Sequence, residues 1–407
     1  MQGQIDFSVI DPDTFAQGHP YALYDRMRET QPVWRHPGSA HQPPFWALTR
    51  FDDIRAVSLD AENFTSTQGF RIPTDSFTAM DPEIGQVLSR FMLAMDNPEH
   101  ADFRGVVASA FMPGALAQLE PRIRASVDAL IASLKGRDAV DVVTEVAAIV
   151  PIKTVCAAMG VPEEDEWRVF EFTNAVFGID DPEYSPTMAD ANQRYLEIFD
   201  YGWHLLEQRR RAPTGDLLSR VANATIGGRA LSEIEQKSFF SNMIAAGNET
   251  TRSSLAGALW ALVRNPDQRQ LLLDDPALIA GATNELLRWY SPVYQMARTA
   301  KRDVVVGGTA VQAGERVALL YGAGNHDPAV FADPHRLDLC RENASRHLTF
   351  GYGVHHCLGS RLAQLQLRVI LEAFLAAFPN YALAGEPTWL RSNLVQAMKT
   401  LPIRLNG

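Results

Sequence analysis

Along most of the chain, apolar residues recur every three or four positions, the spacing of one buried helix face; only a few stretches alternate as strands do. Residues 20–31 predict a short amphipathic helix, followed by extended segments at Val33-Trp34 and Phe45-Trp46-Ala47-Leu48 and a helix over Asp52 to Leu59. Residues 65–95, rich in Phe, Met and Thr and broken by Pro73 and Pro82, predict an irregular, partly helical loop. From Arg104 to Met159 helical patterns alternate with expected stops at Pro113-Gly114, Pro121, Pro151 and Gly160-Val161-Pro162. A second irregular patch over 177–190 precedes a polar-faced helix, 191–211. Ser232 with Glu235 is a capping box, and the helical pattern it opens runs to Asn265-Pro266. Residues 276–290 predict another helix, stopped by Ser291-Pro292. The period then changes: Asp303–Val306, Gly307-Gly308 and Thr309–Val311 read as a hairpin, with Val317 to Tyr321 as a further strand. A loop over 322–356 leads to a final amphipathic helix from about Leu358 to Phe378. With no internal repeat and no Gly/Ser linker, the expectation is one domain over 1–407, mainly α with a small β-rich subdomain, carrying a short N-terminal extension at about 1–19.

Composition narrows the function classes. Hydrophobic residues make up 46% and charged residues 21%, which excludes a disordered chain. Lys and Arg number 37 against 48 Asp and Glu, a net −11, and no long basic run offers a nucleic-acid surface. No stretch reaches the ~18 apolar residues of a membrane span, and the acid-rich first thirty residues resemble neither signal peptide nor anchor. Three scattered cysteines, Cys156, Cys340 and Cys357, make no disulfide framework. A cytoplasmic monomer without membrane or nucleic-acid partner is expected.

The sharpest local feature is Phe350-Gly351-Tyr352-Gly353-Val354-His355-His356-Cys357-Leu358-Gly359. A glycine-rich loop delivers one cysteine to the first turn of the last helix, where helix-end amides favour a thiolate. Glycines let the backbone approach something flat and large. That suits a thiolate ligand to haem iron. A buried structural cysteine is the plainer reading. A zinc site from His355, His356 and Cys357 is hampered because consecutive ligands cannot all reach one tetrahedral centre. A Cys/His nucleophile would need an oxyanion hole that the sequence does not display.

Phe350-x-x-Gly353-x-x-x-Cys357-x-Gly359 resembles, at every fixed position, the haem-binding signature of the cytochrome P-450 superfamily. Two further signatures in the right order extend the resemblance from about Tyr21 to Pro402. Glu285-Leu286-Leu287-Arg288 is similar to the family's ExxR pair, with Arg336 in Asp333-Pro334-His335-Arg336 as third member of a scaffolding triad. Ala246-Gly247-Asn248-Glu249-Thr250-Thr251 resembles the family's oxygen-activation segment; it implies Thr250 as the hydroxyl that supports oxygen and Glu249 as the proton-relaying acid. Gly and Thr inside a helix are costly, so a local opening or kink is expected there. The resemblance implies haem b, with Cys357 as axial thiolate, Phe350, Gly351 and Gly359 framing it, and His100, Arg104, Arg298 and His355 as ligands of the propionates.

The same resemblance implies a pocket built from five segments. Its candidates are Phe70, Phe77, Phe91 and Met92 from the first irregular loop, Phe177 from the second, and Phe240, Met243, Ile244 and Ala246 from the long helix. Val293, Met296 and Leu394 complete it. They are apolar with no cationic anchor, as suits a terpenoid, steroid, fatty acid or small aromatic. Asn248-Glu249-Thr250-Thr251 and Leu319-Leu320-Tyr321 resemble bacterial members acting on steroids and terpenoids. The implied activity is a class I monooxygenase fed by a ferredoxin and ferredoxin reductase, the alternatives being a peroxygenase or a non-catalytic haem-based ligand-binding protein. For a docking face, residues 335–372 hold Arg336, Arg341, Arg346, Arg361 and Arg368 against Asp338, Glu342 and Glu372; Arg336 is assigned to the buried triad and the other four to the surface.

Overall fold

The computed structural model describes residues 7–406. Helices dominate, and a small mixed sheet lies to one side of them. The central element is the helix Glu233–Arg264, which opens with the expected reciprocal cap between Ser232 and Glu235. Its first half places Phe239, Phe240 and Ile244 in one apolar cluster, with the helices Ile149–Met159 and Met188–Arg211. Its second half places Leu255, Leu259 and Leu262 in another, with Ile279–Tyr290 and Ser360–Ala377. Between the two halves lies a run of small and polar residues, Ala246 to Ser254. The backbone stays helical throughout that run, so the expected opening does not occur. The Thr250 hydroxyl instead donates to the carbonyl of Ala246 at 3.1 Å, and Ser254 donates to that of Thr250. These i−4 bonds add to the ladder rather than replace it.

The five-stranded sheet runs in the order Val33–His36, Phe45–Leu48, Arg316–Leu320, Gln295–Ala300, Phe64–Thr65. Ala318 pairs with Ala47 on one side and Ala297 on the other, a row of small residues on the face that one apolar cluster covers, while Leu48, Val317 and Leu319 enter a second cluster. The hairpin at 304–311 forms as expected, with Gly307 and Gly308 in the left-handed region at its turn. The strand Gln295–Ala300 was not anticipated, because both its faces are buried and its sequence does not alternate.

Several proline signals fall differently from the expectation. Pro113 begins the helix Pro113–Leu134, where a missing N–H costs nothing, and Pro121 lies inside it. Pro151 sits in the first turn of Ile149–Met159, directly after a π-turn over Val143–Ala147. The expected loop at 322–356 opens with the short helix Tyr321–Asn325. Of the N-terminal extension, residues 1–6 lie outside the described residues; from Phe7 onward it is packed, with Phe7, Val9 and Phe15 buried. Among the described residues no helix is long and apolar enough to cross a membrane.

Candidate functional site

One large cavity, with about 1610 Å³ of atom-free space partly continuous with solvent, opens between the long helix and the cysteine loop. On the helix it is lined by Asn242, Met243, Ala246, Gly247, Thr250, Thr251 and Ser254, three or four apart and therefore on one face. On the opposite side lie Phe350, Gly351, His355, Cys357 and Gly359.

The cysteine loop is held from behind. Gly351 and Gly353 take positive φ angles of 67° and 71°, and a Cβ at Gly353 would lie 2.4 Å from the carbonyl of Ser58. The Cys357 N–H donates to the carbonyl of Phe350 at 2.8 Å, closing the loop. Cys357 precedes the helix Ser360–Ala377 rather than lying in its first turn. Its sulfur opens onto the cavity yet sits deep in the fold. Burial raises its pKa, opposed by the N–H groups of Gly359 and Ser360 and by the charge of Arg104.

A second group of residues meets at the same cavity. His100 and Arg104 share a face of the helix Glu99–Ala108, and Arg298 shares a strand face with Met296. The rings of His100 and His355 are 4.5 Å apart, and His355 Nε2 lies 3.1 Å from Ser66 Oγ. Burial, then the neighbouring Arg298 and His100, pushes His355 down to about 3. Burial and Arg104 lower His100, with Asp96 opposing. Arg298 is 6% exposed, and among the described residues the one hydrogen bond its guanidinium donates goes to the carbonyl of Ala297. Burial lowers both Arg298 and Arg104. One buried and one partly buried guanidinium, without an ion-pair carboxylate among the described residues and beside an amide-supported sulfur, suit a dianionic group that carries a thiolate-binding metal. A Cβ built on Gly359 meets nothing within 4 Å, so the cavity wall there has room for a flat group. The residues therefore fit haem. The zinc reading fails on geometry, since His355 turns to Ser66 and His100.

The scaffold triad is corrected in one member. Glu285 and Arg288 form a bidentate pair at 2.7 Å, both fully buried. The second arginine is Arg341, whose Nε donates to both Glu285 oxygens at 3.1 and 3.2 Å. Arg336 is exposed: a turn at Asp333, φ 46°, sends its side chain outward, and only its carbonyl accepts from Arg288 and Arg341. Arg341 therefore leaves the set of surface arginines and Arg336 joins it. Arg288 also donates to the carbonyl of Asn325, whose side chain bonds the Leu348 N–H and Thr349 Oγ1. Asn325, which sequence reasoning missed, thus ties the triad to the loop ahead of Phe350.

The carboxylate of Glu249 faces away from the cavity. It is fully buried, paired with Arg252 and bonded by Ser253 Oγ at 3.0 Å. Of the pocket candidates, Phe70, Met92, Met243, Ala246, Val293 and Met296 line the cavity. Phe240 and Ile244 do not: they are buried on another face of the long helix, Phe240 against Gly202 and Tyr201. Phe91 stacks behind Phe70, Phe77 lies under Arg71, and Phe177 packs with Leu394 in a separate small cluster. Helical spacing counted back from Thr250 selects Ala246, Met243 and Asn242 and excludes Phe240 and Ile244.

A model of the cytochrome P450 family matches residues 277–403. The putative cytochrome P450 126 of Mycobacterium tuberculosis is 35% identical over 100% of this chain and 99% of its own length. Linalool 8-monooxygenase of Pseudomonas putida is 33% identical over 97% and 98%. The structure of the Mycobacterium marinum cytochrome P450 CYP268A2 in complex with pseudoionone superposes with a TM-score of 0.88 at 32% identity, covering 98% of both chains. The sequence signatures, the helical fold and the cavity joining Cys357 to Thr250 meet in one conclusion: this chain belongs to the cytochrome P450 family.

Proposed function

We propose that the protein is a haem-thiolate monooxygenase that inserts one atom of dioxygen into a hydrophobic small molecule, with electrons from a ferredoxin. Monooxygenation is the activity for which its relatives are named. The observation that carries the reading is that Cys357, Thr250, two arginines without a carboxylate partner among the described residues and two histidines line one largely apolar cavity. Haem, when bound, supplies the reductive activation of dioxygen. Cys357 would hold the iron, and Arg104, Arg298, His100 and His355 would hold the propionates. Met243, Val293 and Met296 exclude water from the substrate's apolar body. Thr250 holds a hydroxyl on the cavity face of the helix, and Glu249, one residue earlier, keeps a carboxylate on the face behind it. Rotation of Glu249 away from Arg252 would let it pass a proton toward Thr250.

The substrate class is a terpenoid, steroid or related lipid, supported by the apolar lining and by relatives named for such molecules. The electron donor is an acidic ferredoxin, served by its reductase, that docks beside the thiolate. Arg346 and Arg361 are exposed on the cysteine-loop segment, while Arg368 is paired with Glu120. Charge reversal at Arg346 and Arg361 should weaken the ferredoxin dependence of turnover and leave substrate binding intact.

The decisive test is spectroscopic. The ferrous–carbon monoxide complex should carry the red-shifted Soret band of thiolate ligation, and Cys357→Ser should lose it. A histidine-type band from intact wild-type protein would end this reading.

A further inference from the structure

Three polar side chains of the cavity, Asn242, Thr251 and Gln366, make no side-chain hydrogen bond among the described residues, and of the two on the long helix Asn242 lies farther from Thr250. Asn242 is 6% exposed, lies on the cavity face of the long helix, and its amide makes no hydrogen bond among the described residues. Neither amide atom is sealed inside the protein, as the oxygens of Asn174 and Asn248 are, so both open onto the cavity. An amide that faces the cavity with no protein partner keeps both a donor and an acceptor for a ligand that enters it. Met243, Met159, Leu217 and Ala158, all apolar, line the same cavity.

Asn242 lies eight residues before Thr250 on an unbroken helix, so about 12 Å separates the two along the axis at ~1.5 Å per residue. The basic side chains gather elsewhere, where Arg104, Arg298, His100 and His355 influence one another and Arg104 faces Cys357. Among the described residues neither Arg104 nor Arg298, the arginines that line the cavity, bonds Asn242. A carboxylate bound there would be buried uncompensated, whereas a hydroxyl or carbonyl pairs with an amide, which both donates and accepts.

We infer that Asn242 anchors a neutral oxygen function, an alcohol or ketone, at one end of an elongated apolar substrate, so that the hydrocarbon far from that oxygen reaches the Thr250 end of the cavity. This rests on the proposed function for its substrate class and excludes fatty acids bound through their carboxylate at Asn242. The test uses the haem-loaded full chain and four probes: pseudoionone, the alcohol made by reducing its carbonyl, the hydrocarbon lacking that oxygen, and geranic acid. Binding is read twice, from the Soret spin shift and from the rise in unfolding temperature, which does not depend on thiolate ligation.

Wild-type protein should bind the ketone and alcohol roughly ten-fold tighter than the hydrocarbon. Asn242→Leu should erase that preference while holding the hydrocarbon at least as tightly, and Asn242→Ser should keep part of it. The inference is overturned if Asn242→Leu keeps the preference, if geranic acid binds tightest, or if no probe binds by either readout. A histidine-type carbon monoxide band with the head-group preference intact would instead sink the proposed function and leave the anchor standing.

Discussion

Glu285 with Arg288 and Glu249 with Arg252 are both glutamate–arginine pairs three residues apart on a helix, and both are buried. In the first, every arm of the guanidinium is used: two bonds go to Glu285 and others to the carbonyls of Asn325 and Pro334, while Arg341 serves the same carboxylate. In the second, Arg252 contacts Glu249 through one nitrogen, Nε and Nη1 have no hydrogen-bond partner among the described residues, and the ring of Phe170 lies 4.7 Å from the guanidinium. Spacing and burial are alike; satisfaction is not. A closed network holds a fold, because every alternative conformation loses several charge-assisted bonds at once. A half-satisfied pair loses little by rearranging, and that suits the proton relay proposed for Glu249.

Replacing each pair by isosteric neutral residues should separate the two roles, with effects on stability read from urea midpoints. The largest loss is expected from Glu285→Gln with Arg288→Met, about 3–5 kcal/mol, because Arg341 and the Asn325 and Pro334 carbonyls lose their partners. Failure to retain haem should accompany it; a midpoint near wild type would show that the triad is not the scaffold. Arg341→Met alone should cost about 2 kcal/mol, the worth of a hydrogen-bonded charge. Glu249→Gln with Arg252→Met should be neutral or stabilising by ~1 kcal/mol, since it removes unpartnered buried nitrogens, yet product formation should fall on the order of a hundred-fold. Unchanged product at saturating substrate would make Glu249 structural only. Thr250→Ala tests the cavity face of the same helix: oxygen and reductant consumption should continue while product falls and hydrogen peroxide accumulates. The smallest effect is expected at Arg336→Met, within ~0.5 kcal/mol of wild type; a loss matching that of Arg341 would overturn the corrected triad.

The contrast between Arg336 and Arg341 also shows why the sequence stops short. Glu285 and Arg288 could be paired from their spacing alone, since one helix turn brings them together. Which arginine completes the set depends on how the chain turns at Asp333, φ 46°, and crosses back under the helix. Neither arginine's immediate neighbours encode that crossing. Similarly, the bulky side chains of the long helix looked equivalent on composition, but Met243 faces the cavity and Phe240 the core. Which face is which is settled by the neighbours packed around the helix.

What the sequence alone determined is local: the Ser232–Glu235 cap and the helix it opens, the 304–311 hairpin, and the glycine-framed Cys357. Each depends on backbone preferences or contacts within a few residues. Only the tertiary structure decided what joins segments far apart in the chain: Arg341 on Glu285, Asn325 on the cysteine loop, Arg298 beside His355 and His100, and the unpartnered amide of Asn242. Such groups are fixed by which surfaces remain to be buried and which polar atoms remain to be paired once the helices have packed.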